Sequence, residues 1–553
     1  MRKVLLLFCV FASNNFFQNH VSAQTTPWPD WVFKHWVWEG EGTTASAQQI
    51  VADYKAHNIP VDAIIIDSPW ETDYNTFEWD STLYPGAQAM IDSFHAQGMK
   101  VLCWATGGID TNVHPLWDYG VANNFFMKKD ASSGPAIVKW WKPTKCSLID
   151  WYNPAAVAWW KSLMDKTLAT GIDGWKCDGS DFLLLADFPN TYYYSPYLAA
   201  NIPSRNDYSD KYYRTFFDYT RQQLGNDRVV MSRPIDNYGY TFLTGSTVAF
   251  TPTDIGFALW VGDQDATFAG MTAALNNMYN SDAYHYLSFG SDIGGYRTDD
   301  AYPTTGRSKE LFLRWTQLGA FSGLMENGGG GEHRPWMFDN QTNDIYNKFT
   351  RLRYALIPYL MHQSDSLFAV HESLMQFVNS TDYRYMFGND IFVAPVLSTS
   401  NSVSVTFPAG SSWTYLFNNS QTYTGSSSST LNIPLDEYPV FIKSSSTLLA
   451  TLDSVISSVT GIATVSTQSN TITLYPNPAT EEIFISGLQF NANEEYDFCL
   501  FDVLGRNLQK THLSNENEKV ALSGFANGVY YYTIENSNLS ASKKISGKVV
   551  VQK

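Results

Sequence analysis

Two aspartates stand where chemistry could be done. Gly171 to Asp181 reads G-I-D-G-W-K-C-D-G-S-D, a short apolar, strand-like run that breaks into glycine at Asp178. That carboxylate is therefore expected at the C-terminal lip of a strand. Asp263 repeats the pattern, closing Leu259-Trp260-Val261-Gly262-Asp263-Gln264. The C-terminal face is where α/β barrels keep their reactive groups. Two carboxylates on one such rim suit acid/base or nucleophilic work on a glycosidic bond.

The surrounding chain carries the elements needed to position them. Between Trp28 and about Leu367, short β-rich runs such as Val61 to Asp67 and Lys100 to Ala105 alternate with amphipathic stretches such as Ala87 to Gly98. This alternation predicts a (β/α)8 TIM-type barrel over residues 28–367, of the α/β class. Asp67, Asp178, Arg233, Asp263 and Asp292 close successive strand-like runs, and a barrel would gather all five on one face. From 368 to 443 short strands punctuated by Gly, Ser, Pro and Asn predict an all-β domain packed on the barrel. Residues 444–470, rich in Ser and Thr, read as a linker, and 471–553 as a third, β-sandwich-like unit.

Composition narrows the partners. A formal charge of −17 argues against nucleic acid, which needs a basic surface. The 18 Trp, 33 Tyr and 34 Phe exceed the needs of a core, and aromatic planes suit the apolar faces of sugar rings. Residues 1–23 have the plan of a secretory signal peptide, with Arg2 and Lys3, an apolar run from Val4 to Ala12, and Val21-Ser22-Ala23 as a cleavage site. No later stretch is long and apolar enough to span a bilayer. Cys103, Cys146, Cys177 and Cys499 show neither metal-ligand spacing nor a short-range disulfide pattern. Cys177 should point away from the barrel lumen, because strand neighbours face opposite ways.

Several motifs recur in order along residues 31–443. They are Ile59-Pro60-Val61-Asp62 with Asp67, Phe77-Glu78-Trp79-Asp80, Lys176-Cys177-Asp178, Ser232-Arg233, Trp260-Val261-Gly262-Asp263-Gln264, and Gly290-Ser291-Asp292-Ile293-Gly294-Gly295-Tyr296. Met386-Phe387-Gly388-Asn389-Asp390 and Val393-Ala394-Pro395-Val396 follow behind the barrel. Together they resemble glycoside hydrolase family 31, retaining enzymes acting on α-linked sugars. The resemblance implies Asp178 as nucleophile and Asp263 as acid/base. It further implies that Asp67, Arg233 and Asp292 grip sugar hydroxyls, and that Trp260 and Tyr296 wall the pocket. Lys176 lies two residues before the nucleophile on the same strand face, so its ammonium should reach the sugar. No metal or cofactor is needed, since two carboxylates perform this displacement alone.

Three departures from the family pattern bear on specificity. The usual N-terminal β-sandwich has no counterpart between Ala23 and Trp31. The acid after the nucleophile is Asp181 rather than glutamate. Where many members carry Arg-Asn-His, this chain has Glu326-Asn327-Gly328, with His333 shortly after. Lysine at 176, in place of the tryptophan of maltase-like members, makes maltose-type substrates less suited than xylosides or galactosides. The implied activity is that of a secreted, exo-acting α-glycosidase of α-glucosidase, α-xylosidase or α-galactosidase type. A transglycosylase on the same scaffold and a catalytically weak surface glycan-binding protein remain alternatives. Tyr475-Pro476-Asn477-Pro478-Ala479, Asp502-Val503-Leu504-Gly505-Arg506 and Gly528-Val529-Tyr530-Tyr531 resemble the sorting domain read by the type IX secretion machinery. That implies export to the cell surface or the medium.

Overall fold

The computed structural model describes residues 27–553 apart from 41, 141, 180–192, 236–250, 299–306, 461–472, 477–478, 487–495, 503–505, 514–518 and 537–544. The expected signal peptide and Asp181 lie outside the described residues.

Eight parallel strands close into a barrel: β1 (His35–Glu39), β2 (Ala63–Ile66), β3 (Lys100–Ala105), β4 (Gly174–Cys177), β5 (Val229–Ser232), β6 (Ala258–Trp260), β7 (Phe289–Asp292) and β8 (Leu324–Asn327). Each pairs with its neighbours in chain order and β8 returns to β1. The strands are almost wholly buried, as strands covered on both faces are, and Ala63–Ile66 and Val229–Ser232 are rich in β-branched residues. The outer layer among the described residues comprises α1 (Thr44–Ala56), α2 (Ala87–Ala96), α3 (Pro154–Leu168), α4 (Arg205–Leu224), α5 (Phe268–Ala283), α6 (Lys309–Ala320) and α7 (Asn340–Ala369). Six of these helices start on a polar cap that accepts a backbone N–H, namely Thr43, Asn153, Ser204, Thr267, Ser308 and Asp339. Such caps fix where each strand-to-helix connection turns, and so where each rim residue emerges.

Charge on the opposite, N-terminal face is structural. Asp173, which enters β4, takes His95, Lys100 and the Val101 amide. The fully buried Arg353 of α7 donates to the carbonyls of Phe33, Ser322 and Gly323. It thereby satisfies acceptors in segments entering β1 and β8 that no water reaches. Cys177 faces α4, where burial pushes its thiol well up, as the alternation of strand side chains requires.

Behind the barrel, six antiparallel strands between Met375 and Lys443 form one sheet, and Ser402–Thr406 pairs with Ser428–Asn432. Phe392, Phe407, Trp413, Tyr415 and Phe441 fill a separate core. Arg314 of α6 is buried and donates to the carbonyls of Pro434, Glu437 and Ile433, clamping the sheet's last loop to the barrel wall. The segment read as a linker contains a helix, Leu448–Thr460. Leu448, Leu449, Leu452, Val455 and Ile456 recur at helical spacing, which outweighs the Ser and Thr between them.

A second compact unit spans Thr460–Lys553. A three-stranded and a four-stranded antiparallel sheet enclose Ile483, Phe498, Leu500, Leu522, Ile534 and Val549. Among the described residues no helix is long and apolar enough to cross a membrane.

Candidate active site

The strand ends bring every residue singled out from the sequence to the C-terminal face. Asp67 follows β2, Lys176 lies in β4 and Asp178 just after it, and Arg233 follows β5. Trp260 ends β6 with Asp263 three residues on, Asp292 ends β7, and Tyr296 follows in its loop. Side chains from non-neighbouring strands meet here, so they meet across the lumen.

Arg233 joins the two central carboxylates. Its Nε donates to Asp178 Oδ1 at 3.3 Å and its Nη2 to Asp263 Oδ1 at 3.0 Å. One guanidinium edge thus holds both acids on the same side of the lumen, in the planar, forked geometry that suits arginine. Asp178 also accepts the Gly179 amide at 2.8 Å and the Trp104 indole N–H at 3.1 Å. The carboxylate is therefore oriented on both oxygens. The Asp178 and Asp263 side chains keep 14% and 16% exposure, which leaves both open to an incoming molecule.

The lumen beneath is closed. Trp260 is fully buried, with Lys176 Nζ 5.1 Å and Arg233 Cζ 4.6 Å from its ring centre. Both cations lie within cation–π reach of the indole. Trp260 thus lies beneath the cations rather than at the rim. Lys176 does not reach out unaccompanied, since its Nζ lies 3.9 Å from Asp67 Oδ2. Burial would lower its ammonium, but Asp67, Asp292, Glu326 and Asp263 together outweigh that and raise it.

Asp292 and Glu326 sit opposite each other in the register of β7 and β8, each 1% exposed. Burial and then the facing carboxyl push Asp292 well above the usual carboxylate range, while burial raises Glu326 against the pull of Lys176. Two ionised carboxylates there would face acceptor to acceptor, which is why each is pushed up.

Three residues missed as functional at the sequence level complete the site. Trp104 orients Asp178, and Trp38, at the end of β1, donates its indole N–H to Asp67 Oδ2. Glu326, met in the sequence only as the start of Glu326-Asn327-Gly328, belongs to the lumen. Strand alternation was the one available signal, since Trp36 and Trp38 share a strand face, as do Leu102 and Trp104. Tyr296 packs edge-on against Trp38 at 5.8 Å, forming an aromatic rim. His333 stands off the Trp38 ring at 6.1 Å, with burial and then Arg307 holding its imidazole down to about 4, hence neutral. Gly328 explains why no side chain follows Asn327: a Cβ there would meet Trp38 Cβ at 2.2 Å. Trp38 occupies that space.

Among the described residues no cluster of His, Cys, Asp and Glu is arranged to hold a metal ion. The arrangement offers two part-exposed carboxyls for attack and proton transfer, with cations and acceptors ready for hydroxyls.

Comparison with known proteins agrees with this fold. Residues 25–363 match the profile of the TIM-barrel domain of glycosyl hydrolases family 31, 364–448 its C-terminal domain, and 473–548 a secretion system C-terminal sorting domain. An alpha-xylosidase of Emericella nidulans is 23% identical over 442 residues, covering 75% of this chain and 52% of the relative. An isomaltosyltransferase of Sporosarcina globispora is 25% identical over 492 residues, covering 78% and 42%. The chain thus spans about half the length of these relatives. The crystal structure of a family 31 alpha-xylosidase from a soil metagenome superposes with a TM-score of 0.66 at 20% identity, covering 77% of this chain and 65% of the other, a likeness of fold.

Proposed function

The chain belongs to glycosyl hydrolase family 31, and from that premise we propose that it is a secreted, retaining, exo-acting α-glycosidase. The observation that carries this reading is the Asp178–Arg233–Asp263 bridge at the open end of the barrel. Asp178 attacks the anomeric carbon as the bond to the leaving oxygen breaks, and Asp263 gives that oxygen its proton. Water then adds to the glycosyl ester as Asp263 takes a proton back, restoring both carboxyls. Arg233, Asp67, Lys176 and Asp292 hold hydroxyls of the sugar, with Tyr296 at the rim and Trp260 beneath the cations.

The test uses the full chain with aryl α-glucoside, α-xyloside, α-galactoside and α-N-acetylgalactosaminide, followed by proton NMR. One of them should be cleaved with the α-anomer appearing first. The β-anomer first, or no cleavage across the panel, overturns the reading. Transfer to a sugar acceptor is the second reading, favoured by the isomaltosyltransferase relative. Longer glycosides forming at high acceptor concentration would establish it.

The C-terminal unit supports export by the type IX route, after passage of the inner membrane under the signal peptide. Its compact core is its own. Removing Thr460–Lys553 should leave kcat/KM on soluble substrate within about twofold and keep the protein from reaching the cell surface or medium. Normal export with lost binding to polysaccharide would make the unit a carbohydrate-binding module instead.

A further inference from the structure

We infer that a cavity between the Lys128 segment and the Tyr194–Asn201 hairpin is a second carbohydrate-binding site, separate from the catalytic cluster, that holds an uncharged α-glucan chain. The choice of a glycan as occupant rests on the α-glycosidase reading and extends it to polymeric substrate.

The fold puts this cavity on the reactive end of the barrel. After β3 the chain makes an insertion in which Gly108–Asp110, Lys145–Leu148 and Val138–Lys139 form a small antiparallel sheet. After β4 it makes a hairpin of Tyr194–Ser195 and Ala200–Asn201. Both segments leave C-terminal strand ends, and they join. The Lys128 amide donates to the Tyr194 carbonyl at 2.9 Å and the Tyr194 amide to the Lys128 carbonyl at 2.8 Å. At that junction opens a cavity of about 320 Å³, lined chiefly by Asn124, Lys128, Asn153, Tyr194 and Tyr197. That is room enough for a small-molecule site, and none of its lining residues belongs to the carboxylate cluster.

One buried residue holds this lining in place. Asp150, wholly buried, accepts the Ser195 hydroxyl at 2.7 Å and the Tyr197 amide at 3.3 Å. Ser195 Oγ in turn accepts the Leu198 amide at 3.1 Å. The Asp150 amide donates to the carbonyl of Phe125, next to Asn124, and its carbonyl accepts the Asn153 amide. Yet Tyr197, on so tightly tied a turn, is 55% exposed. A phenol ring presented on a fixed backbone gives the apolar face of a pyranose a surface whose ordering cost is already met.

The remaining groups suit hydroxyls. The Asn153 oxygen caps α3 by accepting the Ala155 amide. Apart from that, none of these five side chains makes a hydrogen bond or ion pair within the described residues. Two carboxamides, two phenols and an ammonium are therefore available together, and they supply the donors and acceptors that neighbouring sugar hydroxyls require. Lys128 alone would also suit an acidic glycan, but a chain of formal charge −17 repels such a polymer before it arrives. An uncharged α-glucan meets the same donors without that barrier.

The test uses the full-length chain carrying Asp178→Asn, which binds without cleaving, in native gels containing dextran, soluble starch or pullulan. At least one polymer should retard it, and Tyr197→Ala should weaken that retention by about tenfold. Lys128→Met, which keeps the aliphatic stem, should act in the same direction and serves if the alanine variant does not fold. In the otherwise wild-type chain, Tyr197→Ala should leave kcat/KM on the best aryl glycoside within about twofold. No retardation by any of the three polymers, or retardation undiminished in the folded variants, overturns the inference. So does a tenfold loss on the aryl glycoside, which would make the cavity part of the active site. Retention that depends on Tyr197 in a protein that cleaves no aryl glycoside upholds the inference and fails the glycosidase reading.

Discussion

Asparagine at position 178 is expected to cut hydrolysis by a factor on the order of 10⁴ or more while the barrel stays folded. The amide has the shape of the carboxylate but cannot form the glycosyl ester. The Gly179 amide and Arg233 Nε keep an acceptor at Oδ1, and among the described residues the Trp104 indole N–H faces a donor in place of Oδ2. One misplaced hydrogen bond on a part-exposed side chain costs about 1 kcal/mol. Thermal melting should therefore shift by a few degrees at most. The measurement is turnover of the best aryl glycoside by freshly repurified protein, with the melting curve alongside. Activity above about one per cent of wild type that survives repurification would move the nucleophile elsewhere.

Removing the second carboxyl should divide substrates by leaving group. Asp263→Ala is expected to slow a natural disaccharide by about 10²–10⁴-fold, because its sugar oxygen cannot depart without a proton. A dinitrophenyl glycoside, whose phenolate departs unaided, should lose far less in the first step. Arg233 keeps Asp178 as a partner in this variant, so the nucleophile remains oriented. Comparing kcat/KM on both substrates isolates formation of the glycosyl ester. Equal losses would mean that Asp263 only positions Arg233.

The barrel and the placing of carboxylates on its rim are legible because β/α alternation and glycine beside an acid are local signals. Asp178 and Asp263 each announce themselves within a window of a few residues. Lys176 shows where such reading stops. Its charge is set by Asp67, Asp292 and Glu326, which lie far away in the chain and arrive only through closure of the sheet. Trp38 and Trp104 stayed hidden for another reason. A tryptophan in an apolar strand reads as core, and nothing in its neighbours says that its N–H meets a carboxylate contributed by a different strand. The helix Leu448–Thr460 is hard to read because the Ser/Thr content of the whole segment obscures an apolar stripe of about two and a half turns.

The contact between Gly328 and Trp38 also constrains the order in which this rim could be rebuilt. With the Trp38 Cβ 2.2 Å from where a Cβ at 328 would stand, enlarging position 328 first drives a side chain into the end of β1. Any residue but glycine at 38 keeps that Cβ, so only Trp38→Gly clears the space, and it strips Asp67 of its indole donor. A larger residue at 328 therefore requires glycine at 38 beforehand. In a randomised library the two positions should succeed only as pairs, so a screen that varies them one at a time would find glycine immovable and draw the wrong lesson about its role.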